Sequence, residues 1–284
     1  MNLTNIGTVK DILSRHGFSF SKGLGQNFII NPDICPKIAE NGNACKGFGI
    51  LEIGTGIGVL TAELAKRADK VTAVEIDERL LPILKETLAD FDNVKIVNED
   101  VMKCDLKRLI AEEFSGLRTA VCANLPYYIT SPVIMLLLES RLPIESITVM
   151  VQKEAAQRLC AKVGSRDSGA ITVGVNYYGN VKKLFDVSRG SFMPSPNVDS
   201  AVMRIDLNSE RRLDEESEKF FFKVVKAGFS QRRKTLANAL SSVMGLPKEK
   251  VYTALSTVGM PETARIEQLD MEQLIAVSAE LMKI

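Results

Sequence analysis

The stretch Asn124-Leu-Pro-Tyr127 combines residues that could hold an aromatic amine for reaction. Pro126 fixes its own φ angle, so the Asn124 side chain and the Leu125 carbonyl can be held as two converging acceptors. The exocyclic amine of a nucleobase is a poor nucleophile, because its lone pair is delocalised into the ring. Two acceptors bound to its N–H hydrogens would direct that lone pair at an electrophilic methyl group. Tyr127 could stack on an extruded base; an ordinary strand exit with core tyrosines is the alternative.

Three glycines at alternate positions, Gly54, Gly56 and Gly58, follow a short apolar run and precede a helical pattern. Glycine allows a backbone to approach a ligand closely and to adopt positive φ angles. A dinucleotide site would have its third glycine one position later, where this chain has Val59, and no lysine completes a phosphate-binding loop. The pattern therefore predicts a ligand that contains adenosine without phosphate. A structural strand-to-helix turn is the alternative.

Two carboxylates are predicted to complete an adenosine site. Glu75 follows Gly54 by about 20 residues, the interval at which an acidic side chain reaches ribose hydroxyls in open α/β sheets. Asp100 is placed to accept a hydrogen bond from an adenine amino group. A solvated acid at the first position and a turn or capping aspartate at the second are the alternatives.

Two loops could add contacts to this site. Gln26 and Asn27 lie in a polar, glycine-bearing loop and could hydrogen-bond a ligand, unless the loop is a plain surface turn. Prolines between Phe192 and Ser200 hold that segment extended. They could present Phe192 as a second stacking face opposite Tyr127, or they form only a stiff connector.

Strand and helix patterns alternate from Ile50 onward, which predicts an α/β fold with a mostly parallel sheet covered by helices. Ligands then bind at the carboxyl ends of the strands, where the glycines, Glu75, Asp100 and Asn124 fall. The predicted strands cover residues 50–53, 70–75, 94–97, 119–123, 146–151, 171–178 and 198–207.

The sequence after residue 208 is helical in pattern, so we predict a domain of residues 1–208, with an N-terminal leader, and a helical domain of residues 209–284. Basic residues without intervening acids predict contacts with an RNA backbone, although a solvated helix face has the same pattern. The predicted RNA-binding residues are Lys22, Lys223, Arg232, Arg233 and Lys234.

The composition is that of a soluble globular protein, with 45% apolar and 25% charged residues in 284. Five scattered cysteines without a Cys-x-x-Cys pair and a single histidine, His16, predict no metal site and disfavour a Ser-His-Asp triad. No apolar run is long enough for a membrane span and no signal sequence is evident, which predicts a cytoplasmic protein. Without an exposed heptad pattern, we expect a monomer.

The chain resembles, over almost its full length, the ribosomal RNA adenine N6,N6-dimethyltransferases of the KsgA (RsmA) type. The motifs that carry the resemblance are Gly25-Gln-Asn-Phe28, Glu52-Ile-Gly-Thr-Gly-Ile-Gly58, Val74-Glu-Ile-Asp77, Asn124-Leu-Pro-Tyr127, Phe192-Met-Pro-Ser-Pro-Asn-Val-Asp-Ser200 and Phe229-Ser-Gln-Arg-Arg-Lys-Thr235. The resemblance implies a Rossmann-like class I methyltransferase domain with a seven-stranded sheet.

That family uses S-adenosylmethionine to dimethylate two adjacent adenosines near the 3′ end of 16S rRNA in the immature small (30S) subunit. The resemblance implies that Asn124, Leu125, Pro126, Tyr127 and Phe192 act on the target base. It assigns the cofactor site to Asn27, Ile29, Gly54, Gly56, Glu75, Asp100 and Asn124.

Other functions remain open at this stage. An Erm-type 23S rRNA methyltransferase shares the chemistry, although Leu125 and the segment from Gln231 to Thr235 favour the small-subunit enzyme. A subunit-assembly checkpoint with methylation secondary is a second alternative. An NAD-dependent dehydrogenase is disfavoured by Val59 and by the lack of a histidine suited to proton relay.

Overall fold

The computed structural model describes residues 1–283, with the side chain of Lys22 outside the described part. Its contacts divide the chain into two compact units, one of Met1–Ala156 and Val181–Leu207, the other of Gln157–Asn180 and Asn208–Ile284. The change of unit near residue 208 lies where the sequence places a domain boundary. Residues 157–180 differ from that prediction, because they pack with the second unit.

The strands of the chain are β1 (Phe28–Ile29), β2 (Phe48–Ile53), β3 (Lys70–Glu75), β4 (Val94–Asn98), β5 (Arg118–Asn124), β6 (Ser146–Gln152), β7 (Gly179–Val187), β8 (Phe192–Met193) and β9 (Ser200–Leu207). Seven of them form one sheet in the order β4-β3-β2-β5-β6-β9-β7. The first five strands in this order, β4, β3, β2, β5 and β6, pair in parallel, and β9 runs antiparallel to β6. The predicted α/β, Rossmann-like class with a mostly parallel sheet is confirmed.

Helices cover the sheet of the first unit, and its inner strand β2 is therefore buried at every residue. Burial on both faces explains why parallel strands have continuous apolar runs and no alternation. The helices are α1 (Ile6–Arg15), α2 (Ile34–Asn41), α3 (Val59–Ala65), α4 (Leu81–Thr87), α5 (Leu106–Glu113) and α6 (Thr130–Glu139), and α7 (Lys153–Leu159) begins in this unit and ends in the other.

The register of the parallel strands brings their carboxyl ends to one edge of the sheet. Ile53 at the end of β2 pairs with Val74 of β3 and with Ala123 of β5. Each of these strands therefore ends at the same level. The glycine turn, Glu75 and Asn124 consequently lie side by side.

The second unit contains α8 (Ala170–Tyr178), α9 (Glu215–Ser230), α10 (Leu236–Met244), α11 (Lys248–Thr257) and α12 (Met271–Met282). Helix α8 packs on α9 through stacked aromatic rings: Tyr177 lies 5.2 Å from Phe221, and Tyr178 lies 5.5 Å from Phe222. Both tyrosine hydroxyls donate hydrogen bonds to Glu218, each at 3.1 Å.

The prediction of a strand over residues 171–178 is wrong, because this segment is helix α8. Its β-branched residues favour a strand locally. The Thr172 hydroxyl, however, accepts a hydrogen bond from the Gly169 N–H at 2.9 Å and caps the helix start. The strand at this place in the chain is β7, which follows at Gly179 and was not predicted.

None of the helices in the described part of the chain has both the length and the apolar composition needed to cross a membrane.

Candidate active site

A cavity of about 260 Å³ lies at the carboxyl ends of the strands in the first unit. The structure brings together in its wall every predicted cofactor-binding and catalytic residue, whose roles stay predictions. They are Asn27, Ile29, Gly54, Gly56, Glu75, Asp100, Asn124, Leu125, Pro126, Tyr127 and Phe192.

The glycine turn after β2 is held by a buried carboxylate. Gly54, Gly56 and Gly58 all have positive φ angles, of 76°, 54° and 89°, so the turn requires glycine at each position. Glu75 Oε2 accepts hydrogen bonds from the Thr55 N–H at 2.9 Å, the Thr55 hydroxyl at 2.9 Å and the Gly56 N–H at 3.3 Å. Glu75 therefore organises the loop itself, a role that its spacing from Gly54 did not reveal.

We expect Glu75→Gln to lower the free energy of unfolding of the ligand-free protein by about 1–3 kcal/mol, because an amide cannot accept all of these N–H and O–H donors. Chemical denaturation without ligand measures this effect. Glu78→Gln, at an exposed position nearby, is the matched control for the loss of one charge. Unchanged stability with weaker cofactor binding would limit Glu75 to the predicted ribose contact.

Asn124 is oriented by the N-terminal loop. Its Nδ2 group donates to the Asn27 carbonyl at 3.4 Å, and the Asn27 side chain donates in turn to the Gly25 carbonyl at 3.0 Å. The Leu125 N–H donates to the Met150 carbonyl at 3.2 Å. Within the described residues, Asn124 Oδ1 and the Leu125 carbonyl oxygen accept no hydrogen bond, so both are available to an amine.

Tyr127 is half-buried, and its hydroxyl lies 2.8 Å from the Oγ of Ser200, the fully buried first residue of β9. Burial raises the pKa of Tyr127, which keeps the phenol neutral. Phe192 is 4% exposed and pairs with Ile29 across the β1–β8 ladder. Nothing in the sequence between Tyr127 and Ser200 signals their contact.

Asp100 and the N-terminal loop are tied into local hydrogen bonds. Asp100 Oδ1 accepts a hydrogen bond from the Met102 N–H at 3.0 Å, as expected if Asp100 is a turn aspartate. Asp100 also lines the cavity, where the predicted contact with adenine would be made. Gln26 donates to Asp77 Oδ2 at 2.6 Å. The Arg79 guanidinium beside Asp77 holds the pKa of that carboxyl below its usual range.

The wall of the cavity is acidic. Among the described lining residues, no lysine or arginine is present, and the acidic residues are Glu75, Glu99, Asp100 and Glu52, of which Glu52 is protonated near neutral pH. Such a wall disfavours phosphate and suits a ligand with positive charge. It therefore fits an adenosine compound that carries a sulfonium and an ammonium group.

Glu52 lies in β2 between Ala73 of β3 and Cys122 of β5, and it is completely buried. Neither of its carboxyl oxygens has a hydrogen-bond partner in the described part of the protein. Burial, with the nearby charge of Glu75, raises the pKa of Glu52 to about 8. An acidic residue within an apolar strand is the sequence signal for this unusual group.

The predicted RNA-binding residues of the second unit differ in their surroundings. Arg232 pairs with Glu267 at 2.9 Å and donates to the Arg166 carbonyl at 2.8 Å. Lys223, Arg233 and Lys234 are exposed and form no ion pair with any described residue. Lys22 lies outside the described side chains.

The sequence model of the family described as "Ribosomal RNA adenine dimethylase" matches residues 17–283. A curated relative, "Ribosomal RNA small subunit methyltransferase A" of Geobacillus thermodenitrificans, is 50% identical over 97% of this chain and 96% of its own. The protein of the same name from Clostridioides difficile is 42% identical over 97% of this chain and 96% of its own.

Two solved structures share the fold. The 23S rRNA methyltransferase ErmE is 28% identical with a TM-score of 0.70, over 90% of this chain and all of its own. A dimethyladenosine transferase from Plasmodium falciparum is 25% identical with a TM-score of 0.73, over 90% of this chain and 98% of its own.

Proposed function

The chain belongs to the ribosomal RNA adenine dimethylase family, and from this we propose that it dimethylates N6 of adenosines in the RNA of the small ribosomal subunit. It is a methyltransferase that uses S-adenosylmethionine, and ribosomal RNA is its partner. The proposal rests on the sequence identity of 42% to 50% that this chain shares with small-subunit enzymes over nearly its whole length. ErmE, which acts on 23S rRNA, is more distant at 28%.

The cavity supports the cofactor through its charge and shape. Glu75 and Asp100 would hold the adenosine part, and the glycine turn leaves room for close backbone approach. S-adenosylmethionine, when bound, supplies an electrophilic methyl group on a positively charged sulfur. The acidic wall, without a described lysine or arginine, favours that charge.

The chain positions the target amine with acceptors that are already oriented. In the first methyl transfer, Asn124 Oδ1 and the Leu125 carbonyl would each accept one N–H of the adenine N6 amine, and in the second transfer one of them would accept the single N–H that remains. Tyr127 and Phe192 would hold the base between their rings. Each methylated nitrogen would release one N–H proton to solvent, so the proposed mechanism needs no ionised base on the protein, and the two acceptors are themselves uncharged.

The finer features of the substrate are part of the proposal. The two adjacent adenosines near the 3′ end of 16S rRNA would be modified in an immature 30S particle. The enzyme would act as a monomer in the cytoplasm.

The test is methyl transfer from labelled S-adenosylmethionine to purified immature small subunits and, in parallel, to protein-free large-subunit rRNA, with the modified nucleotides mapped. We expect dimethyladenosine in the small subunit alone. Label confined to large-subunit RNA would favour the Erm-type activity. Tight subunit binding without label would favour the assembly checkpoint.

We expect the double variant Arg233→Ala/Lys234→Ala to bind small subunits less tightly and to reduce the salt dependence of binding, by about one in slope for each charge that contacts phosphate. Binding measured between about 50 and 200 mM salt gives this slope. Lys219→Ala is the matched control, because Lys219 is exposed but paired with Glu215 at 2.6 Å. An unchanged slope would remove these residues from the interface.

A further inference from the structure

Tyr128 is a large aromatic side chain left open at the cavity. It is 58% exposed, more than any other large apolar side chain in the described part except Met1, and it lines the cavity wall. Its hydroxyl has no hydrogen bond with a described residue. An exposed ring beside a site for an extruded base is a surface on which a second base can stack.

Tyr128 lies in a closed backbone turn, and its ring lies beside a glycine of the N-terminal loop. Tyr127–Ile129 form a single 3₁₀ turn, closed by the Ile129 N–H donating to the Pro126 carbonyl at 3.1 Å. A Cβ atom on Gly25 would lie 3.5 Å from the ring carbons of Tyr128, so the ring rests against the loop at this residue. Gly25 has a φ of +60°, which further favours glycine there. The turn therefore fixes the backbone of Tyr128, and the ring lies beside Gly25 in the RNA-free protein.

The two tyrosines point to different partners although they are consecutive. In a 3₁₀ helix, successive side chains are about 120° apart. Tyr127 is turned toward Ser200, and Tyr128 toward Gly25. One aromatic ring is thus available inside the cavity and another at its mouth.

We propose that Tyr128 is a stacking platform for the unpaired base next to the target adenosine, so that the enzyme binds two neighbouring nucleotides through two adjacent tyrosines. This inference rests on the proposed function and deepens it. When one base enters the cavity, the next nucleotide of the strand remains at the mouth, where Tyr128 presents its open ring. Stacking tolerates any base, so this contact provides affinity and register.

The experiment compares methyl transfer by the wild type, Tyr128→Ala and Tyr128→Phe on immature small subunits. We expect kcat/KM of Tyr128→Ala to fall about 5- to 100-fold, and Tyr128→Phe to stay close to the wild type, because stacking needs the ring and not the hydroxyl. The S-adenosylmethionine Kd, measured by calorimetry, should be unchanged. Ile6→Ala, which removes another exposed apolar side chain, is the control.

The same variants are then tested on particles reassembled with rRNA that lacks the base on the 5′ or the 3′ side of one target adenosine, and methyl transfer is counted at that adenosine alone, because one of its neighbours is the second target. With one of these RNAs, kcat/KM of the wild type should fall by the same factor that Tyr128→Ala causes on the complete RNA. On that RNA, kcat/KM of Tyr128→Ala should fall no further. Equal activity of Tyr128→Ala and the wild type, independent losses, or a weakened cofactor Kd would overturn the inference. Absence of methyl transfer by the wild type would instead refute the proposed function.

Discussion

Asn124→Ala should lower kcat by about 10²- to 10³-fold on immature small subunits, the range found when one oriented hydrogen-bonding group is removed from a reacting centre. The variant removes the acceptor Oδ1, whose direction is set by the bond from Nδ2 to the Asn27 carbonyl. The Leu125 carbonyl remains, but a single acceptor cannot hold both N–H hydrogens of the amine. Single-turnover methyl transfer at saturating cofactor measures the effect.

Asn124→Asp separates acceptor chemistry from orientation. A carboxylate still accepts a hydrogen bond, but it cannot donate to the Asn27 carbonyl, so we expect activity between that of the alanine variant and the wild type. The S-adenosylmethionine Kd and the thermal unfolding of each variant must be measured as controls. Wild-type turnover by Asn124→Ala with intact cofactor binding would contradict the two-acceptor mechanism.

Glu52→Gln should change the pH dependence of stability more than any surface substitution. Burial raises the pKa of Glu52 to about 8, from an ordinary value of 4.5, so the folded protein holds a proton that the unfolded chain releases. Stability from this group is therefore complete below pH 4.5 and is lost as the pH rises through 8. By linkage the loss is about 3–5 kcal/mol.

Denaturant unfolding of the wild type and Glu52→Gln from pH 5 to pH 9 tests this expectation. The two proteins should have similar stability near pH 5, where both side chains are neutral, and the variant should be more stable at pH 9. The difference between the two curves isolates Glu52, because the other titrating groups cancel. Parallel curves across this range would show that Glu52 is ionised throughout.

Most of the central sheet could be predicted because each strand is a short apolar run between turn residues. Strand β3 (Lys70–Glu75) has the bounds that the sequence predicts. The segment 171–178 could not be assigned correctly, because its β-branched residues favour a strand locally. Packing against Phe221 and Phe222, which lie in a helix far along the sequence, stabilises the helical conformation of this segment.

The candidate site was predictable where unusual residue types mark it, as with the three glycines and Asn124-Leu-Pro-Tyr127. Contacts between distant residues were not. The hydrogen bond between Tyr127 and Ser200 joins residues that share no sequence pattern. The hydrogen bonds that Glu75 accepts from Thr55 and Gly56 likewise depend on the conformation of the Glu75 side chain, which its spacing from Gly54 in the sequence does not specify.

The short ladder between β1 and β8 affects the order in which the cavity is completed during synthesis of the chain. It joins Phe28 and Ile29 to Met193 and Phe192, about 160 residues later in the chain. Synthesis proceeds from the N-terminus and domains fold as their residues emerge. The glycine turn and the Asn124 segment are thus made long before the strand that completes their enclosure. A nascent chain that stops short of Phe192 has most of the parts of the cavity but not its final wall, so it lacks the second ring that the proposed mechanism places against the target base.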